Sequence, residues 1–247
     1  MGTSARGAFR RMAGVVVAGA LSAGAAHAQG HYRDTHYGEG TFYGYSGGGN
    51  CSFPPPSGLT AAMNEADYNG AQACGACIVV TNPANGSSVE VRIDDRCPEC
   101  APGDVDLDEE AFVQIAAREE GRIPISWVYV ACTPPTLSLY FKEGSNPWWT
   151  AIQVRDHRYP VASVAWRPSG TTKFTKLPRE MYNYFVATSG MGAGPYDFKI
   201  TDVFGQVVKV YKVALDVGVD IPTKKQFPLL GGQTVRRVLS SALAAPR

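Results

Sequence analysis

The sequence VRIDDRCPECAPGDVDLDEEAF, residues 91–112, combines two short alternating runs, a turn and five aspartates. Val91 and Ile93 alternate with polar residues, which is typical of a strand with one buried face. After a turn that contains Pro and Gly, Val105 and Leu107 alternate with acidic neighbours in the same way. Successive side chains of a strand point to opposite faces, so the carboxylates share the face away from the core. The stretch therefore predicts two strands that present carboxylates at a loop-rimmed site.

The first 28 residues are predicted to be a secretory signal peptide. Three arginines precede an apolar run over residues 12–26, and Ala26-His27-Ala28 is a small-x-small cleavage signature. The run is short and rich in Ala and Gly, which disfavours a membrane anchor. We therefore expect cleavage before Gln29 and a secreted, extracellular protein that does not contact a membrane afterwards.

Six cysteines remain after that cleavage, and all of them precede residue 133. Two C-x-x-C pairs are separated by nineteen residues, which lies within zinc-ribbon spacing. Export, the even number and the lack of a nearby histidine instead favour three disulfides, although six cysteines permit fifteen connectivities. The expectation is a disulfide-linked first half without a metal. The cysteines are Cys51, Cys74, Cys77, Cys97, Cys100 and Cys132.

Charge divides the chain into two units joined at the TPPT sequence of residues 133–136. Residues 29–135 carry five arginines against fifteen carboxylates, whereas residues 136–247 carry fifteen basic side chains against seven. The two prolines make a short, stiff connector. We expect a first domain over 29–135, a second over 136–230 and a C-terminal tail over 231–247.

The first domain shows many short strands, dense Gly and Pro, and few helices, which is typical of a small β-barrel. Strands are expected at 78–81 and 127–131, a short helix or turn at 60–68, and a helix at 109–119 with Asp108 as its N-cap.

The second domain is predicted to be an antiparallel β-sandwich, because seven strand-like segments recur between turn signals. These segments are residues 137–141, 149–154, 161–166, 173–176, 185–188, 196–202 and 207–213.

Two groups of residues could carry chemistry. Asp106 is the best candidate for a general acid, because Val105 and Leu107 would desolvate it and raise its pKa. Glycoside hydrolysis needs a second carboxyl group, but the candidates Asp94, Asp95 and Glu99 come from the same stretch rather than from the opposite side of a cleft. An acidic rim or a cation site is an equally good interpretation.

The second group is the pair Trp148 and Trp149. Adjacent residues of a regular strand point to opposite faces, so one ring would be buried by default. Pro147 favours a bend that lets both rings lie on one surface and stack on a ligand.

Several segments together resemble the two-domain expansins, in particular the bacterial and microbial group. They are GTFYG, ACGAC, the 91–112 stretch, KEGSNPWWTAIQVRDHRYPV and MYNYF, in the family's order over nearly all of the mature chain. The resemblance implies an all-β fold: a six-stranded double-psi β-barrel followed by an immunoglobulin-like β-sandwich carbohydrate-binding module. It also implies a nonhydrolytic protein that loosens contacts between cellulose and matrix glycans.

The same resemblance assigns roles in the barrel groove. It implies that Thr41, Asp95 and Asp106 line the groove and that Asp106 is indispensable for loosening. Tyr43 and Glu99 are further expected substrate-binding residues of this groove. The microbial group often has a tyrosine two residues after the first groove aspartate, whereas this chain has Cys97 there.

In the second domain, the resemblance implies a stacking platform of Trp148, Trp149 and Tyr182, assisted by Lys142. By analogy with the family, it also implies the disulfide pairing. The expected bridges are Cys51 with Cys74, Cys77 with Cys132, and Cys97 with Cys100.

Cleavage of a polysaccharide is the alternative function. The barrel also resembles those of family 45 endoglucanases and of rare-lipoprotein-A-type peptidoglycan lytic transglycosylases. The endoglucanases use a second aspartate as base, and residues 40–44 supply none here. The expected partners are cellulose and matrix polysaccharides, with pectin or peptidoglycan as further candidates. We expect a monomer that binds no nucleic acid, cofactor or metal.

Overall fold

The computed structural model describes residue 2 and residues 30–56 and 58–230. The predicted C-terminal tail and, apart from Gly2, the predicted signal peptide lie outside the described residues. The described chain forms a closed β-barrel followed by a β-sandwich of two four-stranded sheets. The predicted all-β class is therefore confirmed.

The barrel has six strands in the order β1-β5-β2-β4-β3-β6, with β6 pairing back to β1. The neighbours β1 and β5 are parallel, as are β2 and β4, and the other four pairs are antiparallel. The strands are β1 (His36–Tyr43), β2 (Thr60–Asn64), β3 (Cys77–Thr81), β4 (Ser88–Cys97), β5 (Val105–Asp108) and β6 (Ile123–Val130).

Alternating apolar residues build the barrel core. In β4, Val89, Val91 and Ile93 are buried and Glu90 is exposed, as the period-2 pattern requires. Strand β6 contributes Ile123, Ile125, Trp127 and Tyr129 to the same core. The 91–112 stretch thus supplies two strands that are both packed around one interior.

Two local predictions for the barrel are corrected. Residues 60–68 form the buried strand β2 and the four-residue helix α1 (Glu65–Tyr68), rather than one helix or turn. The helix predicted at 109–119 is confined to α2 (Glu109–Phe112), with a separate 3₁₀ turn at Arg118–Glu120. Side-chain amides of Asn82 and Asn85 donate to the carbonyl of Ile115 at 2.9 and 3.0 Å, so that carbonyl does not serve a continuing helix.

Three disulfides link the barrel, with the pairing that the family resemblance implied. Cys51 bonds to Cys74, Cys77 to Cys132, and Cys97 to Cys100. The zinc-ribbon alternative is therefore wrong, because all six thiols are consumed. The 55-residue separation between Cys77 and Cys132 makes that bridge a large constraint on the unfolded chain.

The sandwich packs two antiparallel sheets around Leu139, Phe141, Ile152 and Phe198. One sheet has the order β10-β9-β12-β13 and the other β11-β8-β7-β14. The strands are β7 (Leu137–Phe141), β8 (Thr150–Arg155), β9 (Val161–Pro168), β10 (Thr175–Lys176), β11 (Phe185–Ala187), β12 (Tyr196–Asp202), β13 (Val207–Val213) and β14 (Asp220–Lys225).

Strand β14 is not predicted by the sequence pattern. It lies at a sheet edge against β7, it contains Pro222, and its residues are exposed or half-buried. An edge strand of this kind has no apolar alternation to detect, and Pro and Lys are typical residues there. The helices in the described part of the chain are all too short or too polar to cross a lipid bilayer.

Candidate functional site

The predicted groove, which we define by Thr41, Tyr43, Asp95, Glu99 and Asp106, includes residues of the parallel strands β1 and β5. Thr41 and Asp106 are Cα partners in the register of these strands, and the Thr41 hydroxyl donates to Asp106 Oδ1 at 2.6 Å. Both side chains are half-buried. The structure therefore brings together two of the three groove residues that the resemblance implied.

The Asp106 carboxyl is electrostatically distinct. Burial raises its pKa, the Thr41 hydrogen bond opposes that rise, and the charges of Glu99 and Asp95 add to it. The fully buried neighbours Val105 and Leu107 had predicted a pKa shift in the same direction. Asp106 can accept hydrogen bonds as an anion and becomes a donor once protonated.

Asp95 is fixed by main-chain donors. Its Oδ1 accepts the amides of Asn50 at 2.6 Å and Arg96 at 2.8 Å. Gly49 lies so close that a Cβ there would be 2.6 Å from the Asp94 carbonyl oxygen and 2.8 Å from Asp95 Cγ. The loop before Cys51 can therefore approach this carboxylate only with glycine at position 49.

Asp94, a candidate second acid, is held by an arginine. It is fully buried, and Arg92 donates to its two oxygens at 2.6 and 2.7 Å. A bidentate pair between a buried carboxylate and a half-buried guanidinium holds both groups in a fixed geometry. Asp94 therefore stabilises the strand end and is not available as a catalytic partner for Asp106.

Tyr43 and Glu99 extend the groove in different ways. The Tyr43 hydroxyl is buried and has no hydrogen-bond partner among the described residues, and burial followed by the Asp95 charge raises its pKa. A buried hydroxyl without a partner is suited to donate to an incoming oxygen. Glu99 is exposed on the loop closed by the Cys97–Cys100 bridge, where its charge acts on Asp106.

A tight turn presents the tryptophan pair. Asn146 N donates to Trp149 O at 2.7 Å, and Asn146 Oδ1 accepts the amides of Trp148 and Trp149 at 2.9 and 3.1 Å. Strand β8 begins only at Thr150, so the alternation expected of a regular strand does not apply. Trp148 is 78% exposed and Trp149 is half-buried. The bend that Pro147 predicted is confirmed.

The aromatic face, which we define as Lys142, Trp148, Trp149, Tyr182 and Tyr184, lies on the β11-β8-β7-β14 side of the sandwich. Trp149 and Tyr182 pack against a cluster that contains Tyr184, whose ring is 5.8 Å from that of Tyr182. Lys142 Nζ lies 5.6 Å from the Tyr184 ring centroid. A Cβ at Gly190 would be 2.0 Å from the Pro147 carbonyl oxygen and 2.4 Å from Trp148 Cα, so glycine lets the turn pack against position 190.

Hydrogen bonds connect the groove to the aromatic face. The backbone N–H of Asn50 donates to Asp95, and its side-chain Nδ2 donates to the Met181 carbonyl at 2.8 Å. The Tyr68 hydroxyl donates to the same carbonyl at 2.7 Å, and Gln153 Nε2 donates to the Cys51 carbonyl at 2.9 Å. Tyr182 follows Met181 directly, so one short network positions Asp95 and Tyr182 relative to each other.

An open depression of about 530 Å³ also spans the two units. Barrel residues 48, 49 and 52–54 line one side, and Tyr140, Lys142 and Tyr184 line the other. The sequence pattern gave no signal for Tyr140, over whose ring the Arg155 guanidinium lies at 3.6 Å. The sequence also did not predict that Asn50 and Gln153 connect the barrel to the sandwich, because a single polar residue does not indicate a contact more than 100 positions away.

The fold and these joined features define a class of protein in which an acidic barrel groove continues into an aromatic face on a β-sandwich. A Barwin family model matches residues 50–132. The chain is 38% identical over 186 residues to Expansin-YoaJ of Bacillus subtilis (strain 168), covering 72% of this chain and 78% of that protein. It is 31% identical over 184 residues to Expansin-like protein 5 of Dictyostelium discoideum, covering 69% and 76%.

The chain belongs to the expansin family, with the bacterial expansin-like proteins. A crystal structure of apo Clavibacter michiganensis expansin matches with a TM-score of 0.74 and 34% identity, over 80% of this chain and 100% of that one. A variant of that expansin in complex with cellohexaose also matches with a TM-score of 0.74, at 33% identity and the same coverage.

Proposed function

We propose that this chain is a secreted expansin that binds cellulose and associated wall glycans along one continuous face and loosens their contacts without hydrolysis. Residues 29–135 supply the groove and residues 136–230 supply the aromatic face. The cellohexaose complex of the related Clavibacter expansin supports a β-glucan as ligand. Three disulfides are consistent with an extracellular site of action.

One observation carries the nonhydrolytic part of the proposal. Of the four candidate carboxyls, Asp94 is bound by Arg92, Asp95 is bound by two backbone amides, and Glu99 is exposed. Asp106 alone among them combines partial burial with a raised pKa and a free oxygen. Glycoside hydrolysis requires an acid and a second carboxylate placed across the bond. A single carboxyl group such as Asp106 can instead form hydrogen bonds with a glycan that replace bonds between neighbouring glycans.

In this mechanism the aromatic face stacks on sugar rings of a chain at the wall surface. The groove then receives the adjoining segment of the glycan. Asp106 accepts hydroxyl hydrogens, and Tyr43 donates its unpartnered O–H to a sugar oxygen. These bonds replace bonds between neighbouring glycans, and no covalent bond changes. The protein acts as a monomer, because one chain contains both the groove and the aromatic face.

The test compares wall extension with sugar release. Heat-inactivated plant wall held under constant load is treated with the mature protein, and soluble reducing ends are measured from amorphous cellulose in parallel. We expect extension by the parent, extension reduced at least about tenfold in Asp106→Asn, and reducing ends at the buffer level for both. Glu119→Gln, at an exposed carboxylate of the 3₁₀ turn, is the control and should extend walls like the parent.

The alternative is cleavage on the same barrel. Reducing ends that accumulate with time and disappear in Asp106→Asn or Glu99→Gln would replace the proposal with a hydrolase. Anhydro-muropeptides released from purified sacculi would instead identify a peptidoglycan lytic transglycosylase. Binding assays on pectin and on peptidoglycan, beside cellulose, test the other candidate partners.

A further inference from the structure

Two histidines and an aspartate meet at a part of the barrel that the proposed function does not use. His31, His36 and Asp67 each offer a ligand atom, and these three atoms lie within 4.8 Å of one another. All three side chains are half-buried. The chain has four histidines, one of which is in the predicted signal peptide, and the fourth, His157, is buried elsewhere. Two of the three histidines expected in the mature protein therefore converge on one carboxylate.

Hydrogen bonds orient two of the three side chains, those of His36 and Asp67. The His36 ring stacks on Trp127 with centroids 3.9 Å apart and planes 9° apart. Its Nε2 lies 2.8 Å from the His31 carbonyl oxygen. A carbonyl can only accept, so Nε2 carries the proton and Nδ1 keeps a free lone pair. A ligand imidazole whose other nitrogen donates to a carbonyl is the usual arrangement at metal sites.

Hydrogen bonds also fix the orientation of the Asp67 carboxylate. Its Oδ2 accepts Asn64 Nδ2 at 2.7 Å and the Gly103 amide at 3.1 Å. Its Oδ1 faces His31, with a distance of 3.9 Å to Nε2. One oxygen is thus anchored to the barrel and the other remains directed at an imidazole.

We propose that His31, His36 and Asp67 form a binding site for a divalent transition-metal ion, with zinc(II) as the expected occupant. Two imidazoles and one carboxylate are a common zinc donor set, and they leave a fourth position for water. Tetrahedral zinc with bonds of about 2.0–2.1 Å holds its ligand atoms about 3.4 Å apart. The present separations, which reach at most 4.8 Å, exceed that value by up to about 1.4 Å, so metal binding would require the side chains to rotate towards one another.

This site is separate from the groove. His36 begins β1 and Thr41 lies five residues later, which along an extended strand is about 17 Å. The bound ion would join the segment of residues 30–35 to β1 and to α1. Because an ion that binds the folded state stabilises it by mass action, zinc should raise the melting temperature.

The experiment uses the full mature protein, freed of metal with a chelator and titrated with zinc chloride in a calorimeter. We expect one saturable equivalent and a rise in melting temperature with zinc. His31→Gln and Asp67→Asn should each weaken zinc binding at least about tenfold, and both should abolish the zinc-dependent shift. Asp34→Asn, a neighbouring carboxylate, and Asp106→Asn in the groove are matched controls that should retain parental affinity.

Three results would overturn the site: no saturable binding, unchanged affinity in both His31→Gln and Asp67→Asn, or loss confined to the Asp34→Asn or Asp106→Asn control. A fourth result would point to a different metal site. The predicted cleavage before Gln29 would create a free N-terminal amine two residues before His31. Such a terminus can bind copper(II) or nickel(II) through its amine, amides and imidazole. Metal binding that needs His31 but not Asp67 would show that arrangement instead.

Discussion

The groove and the aromatic face differ in how their side chains are held. In the groove, the two aspartates are half-buried and held by hydrogen bonds. The Thr41 hydroxyl donates to Asp106, and two backbone amides donate to Asp95. On the aromatic face, Trp148 is 78% exposed, and one Asn146-centred turn positions it. The groove is therefore expected to act through directed hydrogen bonds that depend on charge, and the aromatic face through stacking that does not.

The largest expected difference is in cellulose binding. Trp148→Ala combined with Trp149→Ala removes two rings, each worth on the order of 0.5–1.5 kcal/mol in a stacked contact, which weakens binding about 5- to 150-fold. Depletion from solution by microcrystalline cellulose measures this change. Tyr211→Ala, which removes an aromatic ring that is 51% exposed on β13, is the control and should bind like the parent. Equal losses in both variants would contradict a localised aromatic face.

The next effect concerns the junction between the two regions. Asn50→Ala removes the side-chain bonds to Tyr68 and Met181 and keeps the backbone bond to Asp95. We expect a stability loss of about 1–2 kcal/mol, seen as a melting temperature lower by about 2–8 °C. Wall extension should fall while cellulose binding stays unchanged.

The control for that prediction is Asn85→Ala, which removes two side-chain hydrogen bonds that both lie within the barrel. It should lower the melting temperature without reducing extension at a temperature where the protein is folded. If Asn50→Ala extends walls as well as the parent, the network does not couple groove and aromatic face.

A smaller effect should appear in the pH dependence of stability. Because burial raises the pKa of Asp106 above its ordinary value of 3.8, the folded chain binds more protons than the unfolded chain between those two values. Stability therefore falls as pH rises through that window. Asp106→Asn cannot lose a proton, so its melting temperature should exceed the parent's at pH 7 and approach the parent's near pH 3.

Melting curves of both proteins from pH 3 to 8 measure this difference. Asp216→Asn, at an exposed carboxylate of the second domain, should follow the parent throughout. A lower melting temperature for Asp106→Asn at pH 7 would show that the ionised carboxyl stabilises the fold, which is the opposite of the effect expected from its raised pKa.

The smallest expected effect is at Lys142. Its ammonium group lies over the Tyr184 ring, an interaction worth about 0.5–1 kcal/mol at an exposed site. The same ammonium group can donate to sugar hydroxyls, and loss of one such contact of similar strength would weaken cellulose binding by Lys142→Gln about two- to fivefold. Lys225→Gln, at the end of the edge strand β14 and beside Tyr211 of β13, should bind like the parent. Added salt should reduce the parent's affinity only slightly, because stacking is not screened. A steep salt dependence would move the main binding contribution from stacking to charge.

The sequence pattern predicted two barrel strands and singled out Asp106, because that evidence is local, whereas Thr41 was assigned to the groove only through the family resemblance. Alternation around Val91 and Val105 identifies the strands, and the neighbours of Asp106 give the direction of its pKa shift. Strand β14 was not predicted, since an exposed edge strand with Pro222 needs no apolar period. The link from Asn50 to Met181 was not predicted either, because a hydrogen bond between residues 131 positions apart depends on the assembled fold.

The family resemblance supplied the disulfide pairing, which physical reasoning from the residues left open. Six cysteines permit many pairings, and the spacing of Cys74, Cys77, Cys97 and Cys100 also fits a metal. The pairing implied by the resemblance agrees with the structure. The convergence of His31 and His36 gave little signal in sequence, because Asp67, their carboxylate partner, is 36 positions after the first and 31 after the second.

The absence of a side chain at Gly190 determines how closely the tryptophan turn packs against the sandwich. The Pro147–Trp148 backbone occupies the volume that any side chain at position 190 would need. Even a single methyl group there would have to lift the turn by about an ångström to restore ordinary contact. A crystalline polysaccharide presents a level surface, and rings raised unequally cannot all touch it. In the proposed function, the alignment of the tryptophans with a flat substrate would thus depend on a position some forty residues away that contributes no side chain.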